Sequence, residues 1–569
     1  MKINILVFSM VTVLLSQAQD LKWIKQMGGT SGDIGKAIAV DAYGNVFTTG
    51  SFQGTCDFDP SSGVFNLTTS TGSADAFISK LDGFGNFVWA KKFDGPDVNV
   101  SGSAIAADKL GNLYVLGNFR GTVDFDPGAN THNLSSVSTT HSDVFITKLD
   151  GSGNFIWAKS MGGNGQESGL SLVISNSGFI FSTGIYYGSA DFDPGSGTYI
   201  LNAVGDADVF VSKLDSTGNF VWAKGFGGKG YEGGTSMSLD EVGNIYITGS
   251  FFDTVDFDTG PGLFSLSSLG GGSNIFITKL DHLGAFTWAK SIGADGPVGE
   301  SGNAIAVNGY GIYITGYFAG TVDFDPAGGV ANLSAPGSFG NADIFVLKLG
   351  LDGKFQWARN MGGKLSDKGS SIAVDSRGSV LVTGTFTDTA DFDPGSTVNN
   401  FASAGFTDVF VSMFDSIGNM KWTKCMGGYD PDLVFSVTID KFSNILTTGS
   451  FSGASDFDPD AGITILSSVG EQDIFIHKMS QSLTSVDYTP FVDFILYPNP
   501  SNGVFMLQIR GEQQEMHLAI YNSLGLCIQE YRWKSGVYKI DLSAWPNGLY
   551  ILKLRGINTA ISTSVVIKN

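Results

Sequence analysis

Two aspartates bracketing a phenylalanine recur along this chain. The trio begins at Asp57, Asp124, Asp191, Asp256, Asp323, Asp391 and Asp456, and in every copy but one, where Thr259 stands, proline follows. Closely spaced carboxylates can chelate a hard cation, or work as general acid and base when their pKa values are pushed apart. Calcium takes about 6 to 8 oxygen ligands, usually with a further acidic or amide position two residues on. Most copies have Gly, Ala or Ser there; only the last has an acid, so Asp456, Asp458 and Asp460 are the calcium candidate. No other cofactor is expected. For the remaining copies the spacing reads as architecture: phenylalanine anchors a flap, proline ends strand pairing, and aspartate keeps the rim soluble.

Acid–base catalysis fits the pattern poorly. A glycosidase needs one pair of carboxylates made unlike each other in one pocket, whereas repeated pairs share one environment. An arginine cluster of the sialidase kind has no source, because the repeat region holds only Arg120, Arg359 and Arg377, each at a different place in its repeat. The histidines show no metal-ligand spacing, and no G-x-S-x-G elbow occurs. Recurrent lysines (Lys80, Lys148, Lys213, Lys279, Lys348, Lys478) are expected to lie over apolar strand neighbours and pair with nearby aspartates. A formal charge of -21 argues against a nucleic-acid partner. No catalytic residue is assigned.

The elements that carry the motif are short strands. The acidic marker steps along the chain by 67, 67, 65, 67, 68 and 65 residues, and a tryptophan marker (Trp23, Trp89, Trp157, Trp222, Trp288, Trp357, Trp422) counts the same seven units. Each unit holds four strand-like pieces. First joins second, and third joins fourth, through turns such as Asp41–Asn45 and Asp82–Asn86, where aspartate accepts turn N–H groups and glycine takes positive φ. The chain starts with an orphan fourth strand around Trp23 and the repeats end with an orphan third strand around Ile474. An open stack would leave both edges unpaired; a ring lets one complete the other. The expected fold is therefore all-β, a seven-bladed β-propeller closed by its N-terminal strand and followed by a small Ig-like β-sandwich. Long, variable connections on one face mark that face as the expected binding surface.

The repeats resemble the β-propeller repeats of secreted bacterial proteins, through "IAVD", "GNVF" and "DAF" strands and a tryptophan strand ending in "GG". Residues 1–18 read as a signal peptide, with an apolar core from Ile3 to Leu15 and cleavage between Ala18 and Gln19. No integral membrane segment is expected in the mature chain. Residues 19–480 form the propeller, 481–493 a linker and 494–569 a last domain. That domain resembles the type A C-terminal sorting domain of the type IX secretion system of Bacteroidota. The matching positions include Tyr497-Pro498-Asn499-Pro500, Gly525, Gly548, Tyr550 and Lys568. The resemblance implies delivery by that machinery to the cell surface or medium, and the machinery as partner. The sequence reading is a secreted or surface-displayed, non-catalytic binding, adhesion or structural module with an unassigned glycan or protein ligand. Its alternative is a secreted glycan-active enzyme with a pocket on the long-loop face.

Overall fold

Short turns, most often Asp-x-x-Gly-Asn, close the repeats into antiparallel hairpins. In the first module the strands are Ile34–Val40, Val46–Phe52, Asp75–Leu81 and Phe87–Phe93, hydrogen-bonded in that order. Asp41 Oδ1 accepts the N–H of Tyr43 (2.8 Å) and Asn45 (2.9 Å), and Gly44 takes φ 91°, which a side chain would resist. The computed structural model describes residues 21–481 except 71–72, 96–98, 297–298, 336–340, 396 and 461. It also describes 493–497, 501, 503–510, 516–522, 526–533, 536–555 and 560–567. These residues contain no helix, and hence none long enough to cross a membrane. The signal-peptide residues, the Ala18–Gln19 site, most of the linker, and Pro498, Asn499, Pro500, Gly525 and Lys568 lie outside the described residues.

Seven four-stranded modules follow one another, their first strands beginning at Ile34, Asn99, Glu167, Glu232, Ser301, Lys368 and Asp432. The last module has strands Asp432–Ile439, Asn444–Phe451 and Asp473–Ser480, and its fourth strand is Leu21–Gly29. Trp23 stands opposite Lys478 and Lys25 opposite Ile476. First strands touch one another in chain order, and the last, Asp432–Ile439, touches the first, Ile34–Val40. Seven hydrophobic clusters each span two consecutive modules, including one that joins Met27, Ile474 and Ile476 to Ile38, Phe52 and Phe77. Since each module buries its faces only against its neighbours, no single module has a core of its own.

Tryptophan and lysine lock one module to the next. Trp89 packs against Gly153, in the turn between the third and fourth strands of the following module, where an added Cβ would come within 3.2 Å of the indole. Lys148 donates to Ser216 O (3.1 Å), Lys213 to His282 O (3.0 Å) and Lys348 to Ser416 O (3.0 Å), each in the next module's turn. Their stems cross aromatic rings, as Lys148 does over Tyr114. Carbonyls, rather than the aspartates expected from the sequence, are the usual partners; Lys478 is an exception, bonded to Gly83 O (3.1 Å) and paired with Asp440 at 3.0 Å. Met413 breaks the lysine series for a structural reason. The seventh module's third and fourth strands are not joined by a turn, so among the described residues no turn carbonyl stands there, and Gln481 Nε2 meets the Met413 sulfur instead at 3.4 Å.

By contact clustering, Ala18–Gln481 forms one compact unit and Ser482–Asn569 belongs to another. In the second, a sheet of Asp493–Tyr497, Val504–Arg510 and Gly536–Asp541 shares a core with a sheet of Cys527–Trp533, Met516–Tyr521, Gly548–Arg555 and Ala560–Ile567. The core unites Phe505, Leu507 and Ile540 with Leu518, Ile520, Tyr550 and Leu552. The three cysteines are free; Cys56 is buried, Cys425 half-buried and Cys527 exposed.

Candidate functional site

The acidic motif turns its carboxylates onto its own backbone. Asp57 Oδ1 accepts the N–H of Asp59 (3.0 Å) and of Phe65 (2.8 Å), and Asp59 Oδ1 accepts that of Ser61 (3.0 Å). Phe58 is fully buried, its ring centroid 5.3 Å from Phe52 and 4.9 Å from Phe77. In the calcium candidate, Asp456 Oδ1 accepts from Asp458 N (3.0 Å) and Thr464 N (2.8 Å), Asp458 Oδ1 from Asp460 N (3.0 Å), and Asp460 pairs with Lys424. Among the described residues, no group of three or more His, Cys, Asp or Glu is placed to hold a metal ion.

The motif opens a small hairpin that docks on the preceding module. Thr55–Asp57 pairs with Asn66–Thr68, and then with the end of the Leu21–Gly29 strand, Gly28 opposite Asp57 and Gly29 opposite Cys56. The glycine pair is a matter of space. A Cβ on Gly163 would lie 2.1 Å from Ser189 O of the docked hairpin, and one on Gly162 would lie 2.3 Å from the Asp143 carboxyl carbon. One glycine admits the neighbouring backbone, and the other admits a buried acid.

Beneath the hairpins run pairs of buried acids. The third strand of one module starts with an acid, and another stands at the start of the next module's first strand: Asp143 with Glu167, Asp208 with Glu232, Asp343 with Asp367, Asp408 with Asp432, and Asp473 with Asp33. Glu167 Oε2 accepts Gly163 N–H (2.9 Å) and Asp143 Oδ2 accepts Val137 N–H (2.9 Å), while Glu167 Oε1 and Asp143 Oδ1 have no partner. Loss of water on burial, aided by the charge of Asp143, raises Glu167 to about 8. Burial likewise raises Asp143 to about 6, Asp208 to about 6 and Glu232 to about 7. Two buried like charges cannot both ionise cheaply, so burial favours a retained proton in these pairs. Sequence reading passed over these acids because a charge at a strand start looks like a solvated cap. Their recurrence just before "VF" and "IF" strands was the available signal.

Several concavities lie where the short turns of adjacent modules meet, and another, of about 630 Å³, has Ala331, Asn332 and Leu333 of a long connection in its wall beside Trp357, Arg359 and Ile417. Lys109, Leu110, Ser177 and Ser216 edge one of about 460 Å³, and Ser177, Glu241 and Val242 another of about 400 Å³. A third, of about 650 Å³, sits at the seam between the last and first modules, walled by Trp23, Tyr43, Asn45, Asp82, Phe84, Phe442, Asn444 and Lys478. Tyr43, Phe84 and Phe442 are 76%, 82% and 67% exposed. The signal in sequence was the variable third residue of each Asp-x-x-Gly turn. In the C-terminal unit, Tyr497 ends a strand, Gly548 begins one, and Tyr550 is buried with its hydroxyl donating to Pro546 O at 2.8 Å.

Comparison with known proteins gives two family matches. Residues 495–568 match the secretion system C-terminal sorting domain and residues 22–51 the β-propeller repeat. A WD repeat-containing protein, L264, of Acanthamoeba polyphaga mimivirus is 23% identical over 509 residues, covering 76% of this chain and 36% of that protein. The regulatory protein FlaEY of Caulobacter vibrioides is 25% identical over 165 residues, covering 29% of this chain and 17% of its own. The chain thus spans well under half the length of these relatives. Among solved structures, PorZ, a surface component of the type IX secretion system of Porphyromonas gingivalis, aligns with TM-score 0.27 and 11% identity over 93% of this chain and 74% of its own.

Proposed function

We propose that this chain, a secreted or outer-surface protein of β-propeller repeats delivered by a type IX C-terminal sorting domain, displays a seven-bladed ring closed by its own N-terminal strand, and that the ring is a non-catalytic binding module. In this reading residues 1–18 leave on export, 19–480 form the ring, 481–493 link it to an Ig-like sandwich at 494–569, and Tyr497 to Pro500, Gly525, Gly548, Tyr550 and Lys568 belong to the segment the secretion machinery reads. The observation that carries the ring is the pairing of Leu21–Gly29 with Asp473–Ser480, supported by a core cluster that spans the first and last modules. The Ser436 hydroxyl also accepts Ile38 N–H across the seam (3.4 Å), as Ser371 accepts Val437 N–H (3.2 Å) between the sixth and seventh modules.

Two observations favour binding over catalysis. The carboxyls with raised pKa values are buried and recur at most junctions, so no substrate reaches them and no single pair is set apart in a pocket of its own. The Asp-Phe-Asp carboxylates are committed to their own turns, which needs no calcium. The test compares cells displaying the full chain with cells expressing a chain lacking Phe494–Asn569. The truncation is expected to stay in the periplasm, and only full-chain cells should adhere to immobilised polysaccharides or extracellular proteins. Surface display of the truncation would refute the delivery, and equal adhesion by both strains would refute the binding role.

A further inference from the structure

Structural contacts in this ring repeat, so an exposed feature that does not repeat needs another reason. Exposed apolar residues recur at the tips of the short turns, as Leu110, Val242, Leu283, Tyr310 and Ile417 show; what does not repeat is the meeting of three aromatic rings at one junction. Each of these three tips is held by its own turn aspartate: Tyr43 N–H to Asp41 (2.8 Å), Phe84 N–H to Asp82 (2.9 Å) and Phe442 N–H to Asp440 (2.8 Å). Ser152 and Thr217 occupy the same tip in the second and third modules, with the same bond to Asp150 and Asp215 at 2.8 Å. Folding therefore asks for no aromatic ring there. Yet three exposed rings from two modules surround one cavity at the seam. They are rigidly carried, and Phe442 reaches across the seam to within 4.0 Å of the position a Cβ on Gly44 would take.

The polar groups between the rings are three side-chain acceptors, Asn45, Asn444 and Asp82, beside two lysines, Lys22 and Lys478. Asn45 and Asn444 spend their Nδ2 groups on Asp41 (2.7 Å) and Asp440 (2.8 Å), which turns the amide oxygens to other donors. Asp82 adds a carboxylate at the wall, whose Oδ1 accepts Phe84 N–H and Asn86 N–H (both 2.9 Å) and whose Oδ2 accepts Asn86 Nδ2 (2.8 Å) with lone-pair room for a further donor. Gly83 O already takes Trp23 Nε1 (3.3 Å) and Lys478 Nζ (3.1 Å). A ligand for this site has apolar faces to lie on aromatic rings and many hydroxyl donors at its edge. Cationic ligands fit badly, because Lys441 Nζ already stands 5.1 Å from the Phe442 ring centroid and Lys22 and Lys478 line the cavity. The volume, about 650 Å³, is that of a small-ligand site rather than a protein interface.

We infer that the seam cavity is a saccharide-binding site, in which Tyr43, Phe84 and Phe442 stack on pyranose faces while Asn45, Asn444 and Asp82 accept ring hydroxyls. This deepens the binding-module reading and rests on it. The test is calorimetric titration of the full chain with neutral hexasaccharides of glucose, xylose, mannose and N-acetylglucosamine, and with an anionic galacturonate hexasaccharide. At least one neutral oligosaccharide is expected to bind. Each of Tyr43→Ala, Phe84→Ala and Phe442→Ala should weaken it by about three- to tenfold, from the worth of one aromatic contact. Leu110→Ala, at the corresponding tip of the second module, should leave it unchanged. Circular dichroism of the variants should match the parent. No saturable binding at millimolar concentration, binding of the anionic oligosaccharide alone, or affinity that survives the triple alanine variant would overturn the inference. Retention on immobilised protein that the triple variant abolishes, with no saccharide bound, would refute the saccharide while sparing the binding module. Failure of both arms would remove both.

Discussion

Replacing Glu167 by Gln isolates the proton held at one module junction. Glu167 is fully buried and raised to about 8 against an ordinary 4.5, chiefly by loss of water. A carboxyl raised in the fold keeps its proton while the unfolded chain releases one. Stability is therefore greatest at acid pH and falls as pH climbs from the unfolded value toward the folded one. One such proton is worth a little over 1 kcal/mol per pH unit, so this site withdraws about 4 kcal/mol between pH 5 and pH 8. Glutamine keeps an oxygen for the Gly163 N–H and offers an NH2 to the unpartnered Asp143 Oδ1, without titrating. Urea unfolding followed by tryptophan fluorescence should give similar stabilities at pH 5, a visibly flatter pH dependence for the variant, and a more stable variant at pH 8. Parallel curves for the two proteins would refute the shared-proton account.

Other perturbations follow from the same contacts. Gly163→Val places a side chain against Ser189 O, so the Ser189–Asn202 hairpin should detach and become a preferred site in limited proteolysis. Met413→Lys should lower the melting temperature, because a buried ammonium would have no turn carbonyl to meet; Lys148→Met, which loses one bond to Ser216 O, should cost less. Calcium should not shift the melting temperature, and Asp460→Asn should behave as the parent in calcium titration; a tight site lost in that variant would show that the last motif copy chelates after all.

Much of this architecture was legible in the sequence because structural contacts recur. Tryptophan packed on a turn glycine, phenylalanine under a hairpin and aspartate in a turn each left a periodic trace. The orphan strands around Trp23 and Ile474 announced their partnership because each lacked the hairpin partner that every other repeat supplies. What escaped depended on space between modules. The "GG" ending looked like a strand terminus, and only the approach of Ser189 O and the Asp143 carboxyl shows why no side chain fits. Lysine partners were misassigned for the same reason: Lys148 meets Ser216, 68 residues away, and no local rule links them. Met413 stands outside the lysine series for a reason that likewise lies in space, the missing turn of the seventh module. The seam cavity was invisible because Tyr43, Phe84 and Phe442 come together only when the chain's two ends meet.

That meeting is most directly measured by a disulfide between the first and last strands of the repeat region, which pair within the last module. Lys25 and Ile476 are directly opposed in antiparallel pairing, within the Cβ separation that a modest adjustment can bridge. In a chain whose three native cysteines are replaced by alanine, Lys25→Cys with Ile476→Cys should oxidise within one molecule, giving a single linked peptide by mass spectrometry at every protein concentration. A ring closed by its N-terminal strand requires that product. Reduced thiols, or links only between molecules, would mean that the two ends lie apart and that the chain forms an open stack.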